Sequence, residues 1–414
     1  MPIFLVLVLV TLGTVLAEDN TSKKEGWVIG GVPSLGYNSD TGFSYGMTAE
    51  IYNLGDGRWY PDYQYALEAE WIRNTQGGGV TEIFLDAPVL YDGTLRLTGY
   101  AGYETDLMQR FYGFGGYASD YHPEYEIDDP DHPDYDRDSY RSRAYYTHDR
   151  ALVRVSIDVQ GDLGGPWRWL AGAGSYQLEA GPTKTGQLRG DVPQETLFEE
   201  LVQGEKIAAE EADGGAEHYL KLGLIYDTRD AESVPTNGIW TELFLTEFGE
   251  YLGTETPHQL LTFTHRHYFP LASENLVFAG RLSAQDVVTG NAPFYMLPFL
   301  QSSYKVQEGF GGSQTIRGVL QNRVVGASVV FANMEVRWNV YRFTLKGQQF
   351  EWTLNGFYDS GRVLDVASDH LHHGVGLGLS VIMNRNLVAS LDLAKALNPQ
   401  DGRGGIYIHS GYLF

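Results

Sequence analysis

Cysteine does not occur anywhere in the 414 residues. Its absence removes disulfides, thiolate metal sites and thiol nucleophiles together, so stability has to come from a large closed hydrogen-bond ladder or a large core. Long apolar runs are scarce too: beyond the N-terminus no stretch reaches the about 20 apolar residues that a membrane-spanning helix needs. Basic residues are outnumbered, 29 Lys and Arg against 53 Asp and Glu, for a formal charge of -24. That balance excludes nucleic acid as a partner, since phosphate contact needs a basic surface. By mean hydropathy the chain reads as soluble. A membrane barrel gives the same average, because lipid-facing and lumen-facing residues alternate along its strands.

The first seventeen residues carry no charged side chain and run from Phe4 to Val10 without a polar residue before reaching Val15, Leu16 and Ala17. This is the pattern of an apolar h-region and a small-residue cleavage site, although no Lys or Arg follows Met1. Residues 1-17 are therefore expected to be a signal peptide, cleaved after Ala17. The nine residues between Ala17 and Trp27 leave no room for a periplasmic domain, and 18-414 is expected to form one domain.

What is abundant points to strands and tight turns: 50 Gly and 28 Tyr. Sixteen segments alternate in character, at about 27-38, 42-53, 63-74, 78-91, 94-106, 141-161, 167-181, 218-229, 238-251, 258-270, 275-289, 325-342, 351-363, 372-384, 387-397 and 405-414. In the third, Tyr65, Leu67, Ala69 and Trp71 share one face, and Gln64, Glu68 and Glu70 the other. In the fifth, Leu95, Leu97 and Tyr103 oppose Arg96, Thr98 and Tyr100. In the twelfth, Met334, Val336, Trp338 and Val340 oppose Asn333, Glu335, Arg337 and Asn339. Charges stay on one face, as they must when the other meets lipid. A soluble β-sandwich would alternate as well, but the connections favour a barrel. Long ones (107-140, 182-217, 290-324) follow odd-numbered segments, and short ones (162-166, 271-275, 384-386) follow even-numbered segments. Short turns on one rim and long extracellular loops on the other are the form of a bacterial outer-membrane barrel. The last segment reads as a terminal strand with Ile406, Ile408, Tyr412 and Phe414 on its outward face.

The connection between the eleventh and twelfth segments reads Glu308-Gly309-Phe310-Gly311-Gly312-Ser313-Gln314-Thr315-Ile316-Arg317-Gly318-Val319. It resembles the sixth-loop motif of the BamA/TamA superfamily (bacterial surface antigen family), marked by V/I-R-G-F/Y. Ile316, Arg317 and Gly318 match, and Val319 stands where the family has an aromatic. The resemblance implies that this long extracellular loop folds into the lumen and that Arg317 meets acids on the next two strands, Glu335 and Asp359. Tyr226-Asp227-Thr228-Arg229-Asp230 with Pro235-Thr236-Asn237-Gly238 resembles the family's hairpin between the eighth and ninth strands, which singles out Asp227, Arg229, Asp230 and Gly238. Arg110-Phe111-Tyr112-Gly113-Phe114-Gly115 is similar to a stretch common in the same family. Members that insert or secrete proteins carry POTRA domains, so the chain looks like a member of a branch lacking them.

Other clusters point less far. The acidic run from Asp120 to Asp138 has no EF-hand spacing and is broken by Pro130 and Pro133, which suits a solvated loop better than a Ca²⁺ site. His370, His372 and His373 beside Asp369 lack a matching second cluster, and no metal is expected. The segment Pro193-Glu211 reads as a short surface helix. No nucleophile elbow, Walker loop or zincin spacing occurs, so neither an enzyme nor a cofactor is expected. A barrel enzyme with Ser, His and Asp on separate strands stays open as a third reading.

The expected fold is all-β, a transmembrane antiparallel barrel of sixteen strands. The expected function is assistance with assembly, insertion or translocation of proteins or lipids at the outer membrane, among outer-membrane lipid and beside a periplasmic or membrane protein partner. The alternative is a passive, cation-biased channel.

Overall fold

Side chains that switch faces at every residue can separate lipid from a polar lumen only if the backbone groups between them are paired. The computed structural model achieves this with one sheet of sixteen antiparallel strands, each bonded to its neighbours in chain order. It describes residues 25–38, 42–60, 63–75, 77–115, 121–188, 190, 192, 196–345, 348–385 and 387–414. The signal-peptide reading at 1–17, together with Asp120, Pro193 and Glu195, lies outside the described residues.

The barrel strands are β1 (Trp27–Asn38), β2 (Gly42–Asn53), β3 (Tyr65–Asn74), β4 (Gly79–Val89), β5 (Leu95–Arg110), β6 (Thr147–Gly164), β7 (Trp167–Gly181) and β8 (Gly214–Asp227). They continue as β9 (Gly238–Phe248), β10 (His258–Ser273), β11 (Leu276–Gly290), β12 (Val329–Leu345), β13 (Gln348–Val363), β14 (His372–Met383), β15 (Leu387–Ala396) and β16 (Gly405–Ser410). Each of the sixteen expected segments coincides with one strand. The largest difference is at β6, which starts at Thr147 rather than 141, and β16 stops at Ser410. Among the described residues no ladder joins β1 to β16.

The two faces sort as the alternation requires. On β8, Leu220, Leu222 and Leu224 are exposed, Leu222 at 67%, while the alternating Tyr219 and Lys221 are buried. On β12, Asn333, Glu335 and Arg337 are buried, and Met334, Val336 and Trp338 are exposed. An outward face of large apolar side chains is what hydrocarbon solvates well, and the inward face keeps the charges.

One expectation needs correction. Gly411 adopts φ +80, a left-handed conformation that ends the extended strand. The chain turns there into the lumen, where the ring of Tyr412 lies 4.0 Å from the Arg337 guanidinium. Phe414 is buried against Tyr268 and Ala279. Of the four residues read as outward, Ile406 and Ile408 are exposed, whereas the two aromatics point inward and stack near guanidinium groups.

The lumen is filled from the long-loop rim. Segment 291–328, between β11 and β12, enters it and makes an inner two-stranded ladder, Phe299–Leu300 with Gln307–Glu308. Phe294 and Phe299 pack with Phe111, Phe198 and Tyr176 in the largest buried cluster. The expected surface helix is present in part, as Leu197–Gln203, started by a Thr196/Glu199 capping box. It is less of a surface element than its sequence suggests, because Phe198 drives it onto that cluster.

Candidate functional site: a buried arginine within the barrel

Glycine decides how close the loop comes to the wall. Gly318 has φ +95, and a Cβ there would meet the backbone of Lys395 and Ala396 on β15. Gly374 on β14 lies under the Arg317 carbonyl so closely that a Cβ would collide with it. Two glycines thus let the chain at 316–318 lie flat on the inner surface of β14 and β15. Gly318 also donates its N–H to the Tyr407 hydroxyl on β16, at 3.0 Å.

This approach places the Arg317 side chain among three wall carboxylates. Nε and Nη2 donate to the two oxygens of Asp359 on β13 at 2.8 and 3.0 Å, and the Arg317 backbone N–H reaches the same carboxylate at 3.1 Å. Nη1 donates to Asp392 on β15 at 2.8 Å. It also lies 2.8 Å from Glu335 on β12, an ion pair whose angle leaves that oxygen without a hydrogen bond. The guanidinium stacks on Phe357, 3.5 Å from the ring centroid.

All four charged side chains are at most 2% exposed, so the cluster is tolerable only if its charges balance. Arg337 supplies part of the balance, with Nε on Glu335 at 2.8 Å. His409 lies 3.3 Å from Asp392, and Arg281 stands one step further out: its Nε donates to Asn333 at 2.8 Å, and Asn333 donates to the Thr315 carbonyl at 2.6 Å. Three guanidinium groups thus face three carboxylates. The forked contact to Asp359 is the arrangement that best repays desolvation of a guanidinium.

An arginine on a returning loop, held by acids of the wall strands, is what the resemblance of Ile316-Arg317-Gly318 implies. The Omp85 superfamily domain model matches residues 108–413, more than half of the chain. The chain belongs to the Omp85 superfamily. As such it is a bacterial outer-membrane protein with the barrel fold of that family. Two solved structures share that fold. BamA from Haemophilus ducreyi lacking POTRA domains 1-3 matches with a TM-score of 0.54 at 15% identity, over 94% of this chain and 70% of that one. CdiB from Escherichia coli matches with 0.57 at 11% identity, over 93% of this chain and 62% of that one, so this chain spans less than two thirds of CdiB. No curated protein matches.

The remaining predicted residues of this Omp85 barrel fall in three places. Ile316 and Val319 are buried together beneath the loop with Phe310 and Val324, so the valine fills an apolar site and reaches no solvent. Asp227, Arg229, Asp230 and Gly238 lie far from Arg317, at the turn between β8 and β9. There Arg229 forks onto Asp227 at 2.9 and 2.8 Å, and Asp230 accepts the backbone N–H groups of Thr236 and Asn237. Gly238, at φ +106, passes too near the Thr228 carbonyl for a side chain. Of the Arg110–Gly115 stretch, Phe111 and Tyr112 are buried, and the Arg110 carbonyl accepts from Asn322 of the inserted segment at 3.1 Å.

The histidines are not gathered into a cluster: His372 pairs with Asp401 at 2.7 Å and His373 with the Tyr358 hydroxyl at 2.7 Å. Asp128, Asp129, Asp131, Asp136 and Asp138 are exposed.

Sequence reading missed three contacts of the inserted segment. Asp392 is the first, although an acid between the outward Leu391 and Leu393 marks an inward carboxylate. Glu308, held by Arg150 on β6, is the second. The third is the ladder tip. Lys221 on β8 donates to the Ser302 carbonyl at 2.8 Å, Ser303 donates to Glu242 on β9 at 3.0 Å, and Lys305 reaches Glu68 on β3 at 2.7 Å.

Proposed function

We propose that this Omp85 barrel helps to place or move macromolecules, protein or lipid, at the outer membrane, and that it works beside a separate periplasmic or membrane partner. In this reading residues 1-17 are its signal peptide, and the barrel performs no chemistry of its own. Arg317 acts as the latch of the inserted loop, with Glu335, Asp359 and Asp392 as the catch. The observation that carries the reading is the occupied lumen: one inserted segment crosses it, anchored on β12 to β16 through Arg317 and Gly318 and on β3 to β9 through its tip. A passive channel gains nothing from such an occupant, whereas a protein that must open only when cargo is present does.

Planar-bilayer recording tests the closed state. The unmodified chain is expected to show low or flickering conductance, and Arg317→Ala to raise it. A steady, large open conductance in the unmodified chain would reject the reading in favour of a cation-biased pore. The partner is tested by co-purification from native membranes after mild solubilisation. A barrel recovered alone, with no bound polypeptide and no lipid enriched over the bulk membrane, counts against the macromolecular role.

A further inference from the structure

The tip of the inner ladder does more than touch the wall. Tyr304 reaches almost to the short-turn rim, where its ring lies edge-on to Phe84 on β4, 5.0 Å between centroids, and 4.9 Å from the guanidinium of Arg96. Arg96 is the second residue of β5 and faces inward. It forks onto Asp86 on β4 at 2.9 and 2.7 Å, and Tyr63, from the turn after β2, donates to the same carboxylate at 2.7 Å. The remaining arm, Nη1, donates to Glu232 at 2.7 Å. Glu232 belongs to no strand: it sits in the turn between β8 and β9, on another stave of the barrel. One buried guanidinium therefore joins three parts, the wall at β4 and β5, the tip of the loop from the opposite rim, and the turn between β8 and β9.

The two acids on Arg96 differ. Asp86 is sealed at 1% side-chain exposure, whereas Glu232 is 47% exposed. The first contact is a fixed part of the wall. The second is a half-solvated pair, the kind that forms and breaks at small cost.

We propose that Arg96, Glu232 and Tyr304 form a second closure, at the short-turn, periplasmic mouth of the barrel, which opens by release of Glu232 and works separately from the Arg317 latch. Release swings the β8–β9 turn away and leaves Arg96 held by Asp86, so the wall is undisturbed while the mouth is cleared. The loop tip then faces the periplasm directly, and whatever enters from that side meets Tyr304 first. The inference does not depend on what the barrel carries.

The absence of cysteine makes the test clean. Ser303 sits beside Tyr304 and is 1% exposed, and its hydroxyl has no partner. A Ser303→Cys chain, reconstituted at full length in sealed vesicles of known orientation, reports access through its rate of labelling by a membrane-impermeant maleimide added from one side. Glu232→Gln in that background is expected to speed labelling from the short-turn side by about two- to fivefold, the scale of one half-exposed ion pair, and to leave labelling from the long-loop side unchanged. Arg96→Gln should do the same or more. Should Arg96→Gln fail to fold, Glu232→Gln decides alone, because Arg96 there keeps its Asp86 fork. An unchanged short-turn rate in Glu232→Gln, with the barrel still resistant to detergent at room temperature, overturns the proposal. So does Arg317→Ala raising that rate to the Glu232→Gln level, since a single lock would then account for both.

Discussion

The two arginine sites of the lumen are built in opposite ways. At Arg317 the inserted loop carries the cation and the wall supplies three sealed carboxylates. At Arg96 the wall carries the cation, one acid is sealed beside it, and the β8–β9 turn brings the other, Glu232, half open to water. Breaking the first leaves buried charges unpaired on several strands. Breaking the second leaves a guanidinium that still has its fork and a carboxylate that water can take. The first arrangement suits a contact that is costly to release, and the second suits one that exchanges readily.

The largest effect should therefore follow Arg317→Ala. It strands Asp359 in the lumen and leaves Glu335 to Arg337 and Asp392 to His409, and removal of one partner from a buried pair costs about 3 to 5 kcal/mol. The measure is the temperature at which the folded band converts to the unfolded one on detergent gels, which should fall well below that of the unmodified chain. Arg317→Lys should recover only part of the loss, because an ammonium cannot fork onto Asp359. Equal transition temperatures for Arg317→Ala and Glu232→Gln would erase the contrast drawn above.

Gly374→Ala comes next and separates geometry from charge. The added methyl meets the Arg317 carbonyl without removing any ionic group, so the loop has to lift from β14. An overpacked contact of this sort costs about 1 to 3 kcal/mol. Bilayer conductance should rise in the same direction as in Arg317→Ala. A Gly374→Ala barrel as quiet and as heat-resistant as the unmodified one would show that the loop does not lie where these glycines place it.

Much of this was legible in the sequence, for a reason that also sets the limit. Alternation is local, and Leu95, Leu97 and Tyr103 declare their face against Arg96, Thr98 and Tyr100 without reference to anything distant. Arg317 stands out through its neighbours Ile316 and Gly318, and Glu335 and Asp359 through their place on the next two strands. The pairing of Arg96 with Glu232 spans 136 residues and is set by the curl of the wall and the fold of a turn, for which no local pattern speaks. Tyr304 lies in a stretch without periodicity, and its position follows from ladder contacts made around it. The inward turn at Gly411 is hidden differently: Tyr412 and Phe414 continue the outward alternation of Ile406 and Ile408, and a single left-handed residue cancels it. Local pattern fixes which face a strand residue takes, while loops crossing a lumen are placed by partners far along the chain.

The smallest effect concerns acid, and its sign distinguishes the two sites most finely. Burial works to raise the Glu232 carboxyl, but Arg96 foremost, then Arg229 and Arg168, outweigh it and hold the group below the usual carboxylate range. A carboxyl lowered in the folded state contributes stability that is fully present above its unfolded pKa, about 4.3, and is lost as pH falls through the folded value. The unmodified barrel should thus exceed Glu232→Gln in transition temperature by a constant margin from neutral pH down to about 5, and the margin should close at more acid pH. The same comparison for Asp230→Asn should follow the same course. Burial opposes it there too, but Thr236 and the backbone N–H of Asn237 keep that carboxyl low. Asp230 ties the turn to itself, however, and makes no contact with Arg96, so its replacement should leave Ser303→Cys labelling from the short-turn side where it was. A margin for Glu232 that widens toward acid would mean the carboxyl is protonated when it meets Arg96, and the contact would then not be the ion pair on which the second closure rests.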